Sequence, residues 1–179
     1  MNNVEDEQSK TLSGLQFAIQ MEITGKEYYQ KAGRESRDVA GKELFEWLAA
    51  EEDKHRLKFE QIYQAIKDKK GWPDVSAGPG GGKIFSNLFS QDFKAADGQS
   101  NVAESELPVI KKAMDMEKKT HDFYQTQGEK ASYDAERSFY EAIAAEEWGH
   151  YLALIDYREY IIDPDGWFLK AEHHSLDGG

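Results

Sequence analysis

Two short stretches of this chain hold the residues best suited to grip a metal ion. Ala49-Ala50-Glu51-Glu52-Asp53-Lys54-His55 is echoed 95 residues later by Ala144-Ala145-Glu146-Glu147-Trp148-Gly149-His150. Each contains a Glu-x-x-His unit, Glu52 with His55 and Glu147 with His150. On an α-helix, residues three apart project from nearly the same face, so each pair can aim a carboxylate and an imidazole at one point. Glu22 and Glu117 share the 95-residue offset, and each precedes the Glu of its pair by 30 positions. Two carboxylates and one imidazole therefore recur in register.

The elements that must position them are helices. A first stripe at helical spacing runs Leu12, Leu15, Ile19, Glu22, Lys26, Tyr29, Gly33, and a second runs Phe45, Leu48, Glu52, His55, Phe59, Ile62, Ile66. The third, Leu107, Ile110, Met114, Glu117, His121, Tyr124, Gly128, matches the first position for position, and the fourth is Tyr140, Ile143, Glu147, His150, Leu154, Tyr157, Ile161. Arg34 to Asp38 reads as a turn with Asp38 as N-cap, and the second helix is expected to stop near Lys70-Gly71. The third is expected to start near Ser105, with Pro108 in its first turn, and Asp163-Pro164-Asp165-Gly166 ends the fourth. Strand signals are nearly absent. The expected fold is all-α: an antiparallel four-helix bundle over residues 11–163, with a long crossover over 71–104 between the second and third helices. Residues 1–10 are expected to be a flexible tail, 164–179 a C-terminal tail, and Ile84 to Phe93 a short helix or packed turn within the crossover.

Composition narrows the chemistry. A formal net charge of −12 argues against nucleic acid or an anionic membrane as partner and is compatible with attracting cations. No apolar run of about 18 residues occurs, and Met1 to Lys10 lacks the layout of a signal peptide, so a cytoplasmic protein is expected. The chain has no cysteine, which excludes disulfides, thiol nucleophiles and cysteine-ligated metal centres within it. Any metal is held by oxygen and nitrogen.

Glu22, Glu52, His55, Glu117, Glu147 and His150 all fall on stripes otherwise occupied by Leu, Ile, Phe and Met. Four buried carboxylates facing one another would be strongly destabilising without countercharge, and two divalent cations would neutralise them. One Glu on each of two helices and Glu-x-x-His on the other two is how a bundle interior builds a paired-metal site. Carboxylate oxygen with one imidazole per metal suits iron or manganese, with zinc as a possible substitute. Tyr29 and Tyr124 each lie two turns beyond an isolated Glu, where a hydroxyl can hydrogen-bond a ligand carboxylate and orient it. Gly25 and Thr120 are small residues that would leave room for an oxidant. His121 borders the site or faces solvent, and His173-His174 belongs to a solvated tail that Trp167 and Phe168 dock. The glycines at 78–82 read as linker, with no Lys-Ser/Thr after them to make a phosphate loop.

The doubled Glu and Glu-x-x-His arrangement, spanning about residues 12 to 162, resembles the ferritin-like superfamily of di-iron carboxylate proteins, and most closely its rubrerythrin-like branch. The resemblance implies that Glu22 and His55 ligate one iron, Glu117 and His150 the other, and that Glu52 and Glu147 bridge them. It also implies a homodimer. Two departures stand out: there is no cysteine for a rubredoxin module, and Thr120 occupies the place of an additional family Glu. The implied function is peroxide reduction or oxidative-stress defence, in which O₂ or H₂O₂ oxidises Fe(II) and an external donor supplies electrons. The alternatives are a ferroxidase for iron storage or handling, a manganese catalase-type enzyme, and a non-catalytic bundle that metal stabilises as an interaction or stress module.

Overall fold

The computed structural model describes residues 2–73, 75, 99–167 and 169. Four long helices account for most of them: α1 (Asn2–Glu35), α2 (Val39–Lys67), α3 (Gln99–Lys130) and α4 (Asp134–Ile162). There is no strand among the described residues, and no helix there is long and apolar enough to cross a membrane.

Buried apolar side chains form two clusters. One contains Tyr29, Leu44, Phe45, Leu48, Ile110, Leu154 and Tyr157. The other contains Leu15, Phe59, Ile62, Tyr124, Phe139, Tyr140 and Ile143. Every helix passes through both, and in every helix the Glu or Glu-x-x-His lies between them. The order in which the clusters are met gives the topology. Helices α1 and α4 run from the Phe59 cluster toward the Phe45 cluster, and α2 and α3 run the other way. Each hairpin, α1–α2 and α3–α4, is thus antiparallel, while α2 finishes at the end of the bundle opposite to where α3 begins. A crossover satisfies that geometry. The crossover segment and the expected short helix at Ile84 to Phe93 lie outside the described residues.

Local signals account for the boundaries. Asp38 caps α2, its carboxylate accepting from the Gly41 amide at 2.8 Å. Helix α2 unwinds at Asp68 and the turn closes through Lys69 and Gly71, both at positive φ (59° and 75°). Trp167 folds back after α4, its Nε1 donating to Asp156 Oδ1 at 2.8 Å and its ring meeting Tyr160; Phe168 and His173-His174 lie outside the described residues.

Two boundaries differ from expectation. Helix α1 begins at Asn2, where a tail was expected over residues 1–10. That stretch has no Gly or Pro and is rich in good helix formers, and Gln8 Nε2 ties it to the Ile66 carbonyl at 3.0 Å. Helix α3 begins at Gln99 rather than near Ser105, so Pro108 lies in the helix interior. Tertiary contacts extend it: Ala103 and Leu107 pack on the core, and buried Glu106 accepts from the Arg37 amide of the α1–α2 turn at 3.1 Å.

Asp38→Ala should cost about 1 kcal/mol of stability, the usual loss for an N-cap. Urea denaturation should show a lower midpoint with an unchanged slope.

Candidate metal centre

Between the two apolar clusters, all six candidate side chains come together. Glu22 and His55 are fully buried, and Glu52, Glu117, Glu147 and His150 are at most 4% exposed. Their ligand-type atoms form two groups, each with its members within 4.8 Å of one another. One group is Glu22, His55 and Glu147; the other is Glu52, Glu117, Glu147 and His150. Glu147 belongs to both, whereas Glu52 joins only the second.

Both imidazoles turn Nδ1 inward. His55 Nδ1 lies 2.8 Å from Glu147 Oε1 and 3.6 Å from Glu22 Oε2. His150 Nδ1 lies 3.5 Å from Glu117 Oε2 and 3.8 Å from both Glu52 Oε1 and Glu147 Oε2. The two rings are roughly parallel, with centroids 5.6 Å apart. Tyr29 Oη donates to Glu117 Oε1, and Tyr124 Oη donates to Glu22 Oε1. Each tyrosine thus serves the isolated Glu of the other half of the repeat. Burial, with the partner carboxylate next in effect, holds both phenols far above their ordinary pKa, so they remain donors.

This arrangement leaves inward-facing atoms without an aligned hydrogen bond: Glu22 Oε2, Glu117 Oε2, both oxygens of Glu147, and Nδ1 of His55 and His150, the 2.8 Å approach of His55 Nδ1 to Glu147 Oε1 included. A buried polar atom left unsatisfied costs about 1–3 kcal/mol, and native folds keep few of them. Six clustered on one point, all O or N atoms that can ligate a metal once deprotonated, fit a pair of divalent cations of the iron or manganese type.

Four residues have structural roles that their positions in the sequence did not reveal. Glu146, one residue before a candidate ligand, is buried, and His55 Nε2 donates to its Oε2 at 2.6 Å. The recurrence of Glu51 as Glu146 was the available signal. Gly25 does not leave room for an oxidant: a Cβ there would lie 2.6 Å from Glu52 Oε2, so the missing side chain accommodates the Glu52 carboxylate. Thr120 bonds its own helix, Oγ1 donating to the Met116 carbonyl at 3.0 Å. His121 joins neither ligand group; its Nδ1 lies 3.1 Å from Asp122 Oδ1 and its ring packs beside Trp148.

The electrostatics follow from crowding. Burial and the neighbouring carboxylates raise Glu52 well above 4.5, and burial together with Glu147 pushes Glu117 up to about 8. Burial would lower the histidines, but the facing carboxylates overcome it, raising His55 well above 6.5 and His150 to about 10. Burial would raise Glu147, yet the two histidines hold it below its ordinary value.

The sign of the pH dependence is set by the raised groups. Glu52 and Glu117 keep a proton in the fold that the unfolded chain loses above 4.5, so their contribution is full below 4.5 and is lost as pH rises, for Glu117 through about 8. His150 contributes fully below 6.5 and its contribution is lost toward about 10. Glu147 acts oppositely: its contribution is full above its ordinary 4.5 and is lost only as pH falls below that value. Chelator-treated protein should therefore show a melting temperature that falls steadily from about pH 6 to about pH 9, measurable by circular dichroism.

Residues 14–156 match the rubrerythrin family model. No curated protein matches the chain. Among solved structures, it is similar to a hypothetical protein from Pyrococcus furiosus, with a TM-score of 0.62 and 23% identity over 86% of this chain and 90% of that one. At that identity the likeness concerns the fold. The family match spans both hairpins and all six converging side chains, and this chain belongs to the rubrerythrin family.

Proposed function

We propose that this protein is a di-iron redox protein in which Fe(II) at the bundle centre is oxidised by hydrogen peroxide or dioxygen, with an external donor restoring the electrons. The observation that carries the reading is the set of six buried, unpartnered ligand atoms converging from four helices on Glu147. Glu22 and His55 would hold one iron and Glu117 and His150 the other, with Glu147 shared by both groups and Glu52 standing with the second.

Bound there, an iron pair supplies the two electrons needed to reduce the O–O bond of peroxide to water. The chain's own residues do the rest. Tyr29 and Tyr124 each occupy one oxygen of Glu117 and Glu22, which leaves the other oxygen of each turned inward. The apolar clusters on either side keep bulk water from the charged layer. With no cysteine in the sequence, no cysteine-ligated iron within the chain can feed the site.

Stopped-flow mixing of Fe(II)-loaded protein with matched concentrations of H₂O₂ or O₂ tests the reading. Peroxide should oxidise the bound iron at least about tenfold faster, a barrier difference of about 1.4 kcal/mol, and further turnovers should require added reductant. Faster reaction with O₂ and growth of a mineral core would point instead to iron storage. Peroxide disproportionation restored by Mn(II) would indicate catalase-type chemistry, and firmly bound metal that consumes no oxidant would mean a structural one.

A further inference from the structure

We infer that the two halves of the metal pair are inequivalent, and that Glu146 is the positioning residue that makes them so. The inference rests on the paired-metal reading above. Both candidate histidines turn Nδ1 toward the cluster, but what lies behind the two rings differs. Behind His55, the buried carboxylate of Glu146 accepts from Nε2 at 2.6 Å, and Lys58 Nζ lies 3.6 Å from the same oxygen. Behind His150, no described residue hydrogen-bonds Nε2, and the ring stands perpendicular to Trp47 with centroids 5.3 Å apart.

The repeat explains how the difference arises. Glu146 corresponds to Glu51, one position before the pair Glu in each half. Three residues further on, the first half has Lys54 and the second has Gly149. Lys54 Nζ sits 2.6 Å from Glu51 Oε1 and keeps that carboxylate on its own helix. Gly149 has no side chain to do the same, so Glu146 is left to reach across from α4 to α2. Lys58, which faces Glu146, is likewise replaced in the other half by Ala153.

A carboxylate accepting from Nε2–H fixes the tautomer, keeps the Nδ1 lone pair aimed at the metal and makes the imidazole a stronger donor. Loss of such a partner typically lowers metal affinity by about 10- to 100-fold. Among the described residues, only the His55 half has one to lose.

Titrating metal-free, full-length protein with cobalt(II) against a competing chelator reads each half. Wild type should bind two ions. In Glu146→Ala, two should still bind, one of them about 10- to 100-fold more weakly, and Glu146→Gln, which keeps an acceptor in place, should recover part of the loss. Glu51→Ala should change neither. Gly149→Lys, whose new Cβ meets nothing within 4 Å, should mimic Glu146→Ala by drawing the carboxylate back to α4. The cobalt-shifted Nε2–H proton of His55, slow to exchange in wild type, should exchange rapidly in Glu146→Ala, which a mere packing role would not cause. Equal weakening of both ions, or none, in Glu146→Ala and Gly149→Lys would overturn the inequivalence while leaving the metal pair standing. Fewer than two ions bound by wild type would overturn the paired-metal reading, and this inference with it.

Discussion

Four carboxylates packed into the middle of an otherwise apolar bundle set the terms for the rest of this structure. Like charges so close and so far from water repel one another and are expensive to desolvate, and a fold can keep them only by supplying positive charge or protons. Glu52 and Glu117 respond by holding protons to unusually high pH, and His55 and His150 by carrying charge where burial alone would neutralise them. Glu147, caught between both imidazoles, is driven toward the ionised form. That gradient within one cluster singles out the carboxylate that both ligand groups share.

The surrounding architecture keeps these groups from relaxing apart. An aromatic-rich cluster closes each end of the polar layer: Tyr29, Phe45 and Tyr157 on one side, and Phe59, Tyr124 and Tyr140 on the other. The two tyrosines nearest the centre do more than fill space. Tyr29 on α1 bonds Glu117 on α3, and Tyr124 on α3 bonds Glu22 on α1, so each hairpin orients the other's carboxylate. The repeat is therefore not two independent modules laid side by side. Each half is completed by the other, and Glu147 from the second half also reaches His55 of the first.

Much of this was legible in the sequence because the signal was a contradiction: charged residues recurring on stripes that are apolar elsewhere. Glu22, Glu52, His55, Glu117, Glu147 and His150 all interrupt helical hydrophobic periodicity, and all six are buried together. The Asp38 cap could also be read, since capping is a local interaction. What escaped depends on contacts between distant segments. Spacing placed Tyr29 near a ligand carboxylate but could not reveal that it bonds the Glu of the opposite hairpin. The sequence pattern assigns Glu146 no role of its own, because that role appears only when α4 packs against α2. Gly25 looked like open space until Glu52 from the next helix filled it. The early starts of α1 and α3 also involve contacts that no periodicity encodes, Gln8 bonding the Ile66 carbonyl of α2 and Ala103 packing on the core.

Everything derived for the bundle centre depends on these six side chains holding two metal ions. An anaerobic titration of metal-free protein with Fe(II), followed by the absorbance change on adding limiting oxidant, tests it most directly. A sharp break at two irons per chain is expected, with a matching rise in melting temperature because the folded state alone binds the metal. A break at one, or none at all, would mean that the paired Glu-x-x-His units do not act together and that the bundle centre holds no metal pair.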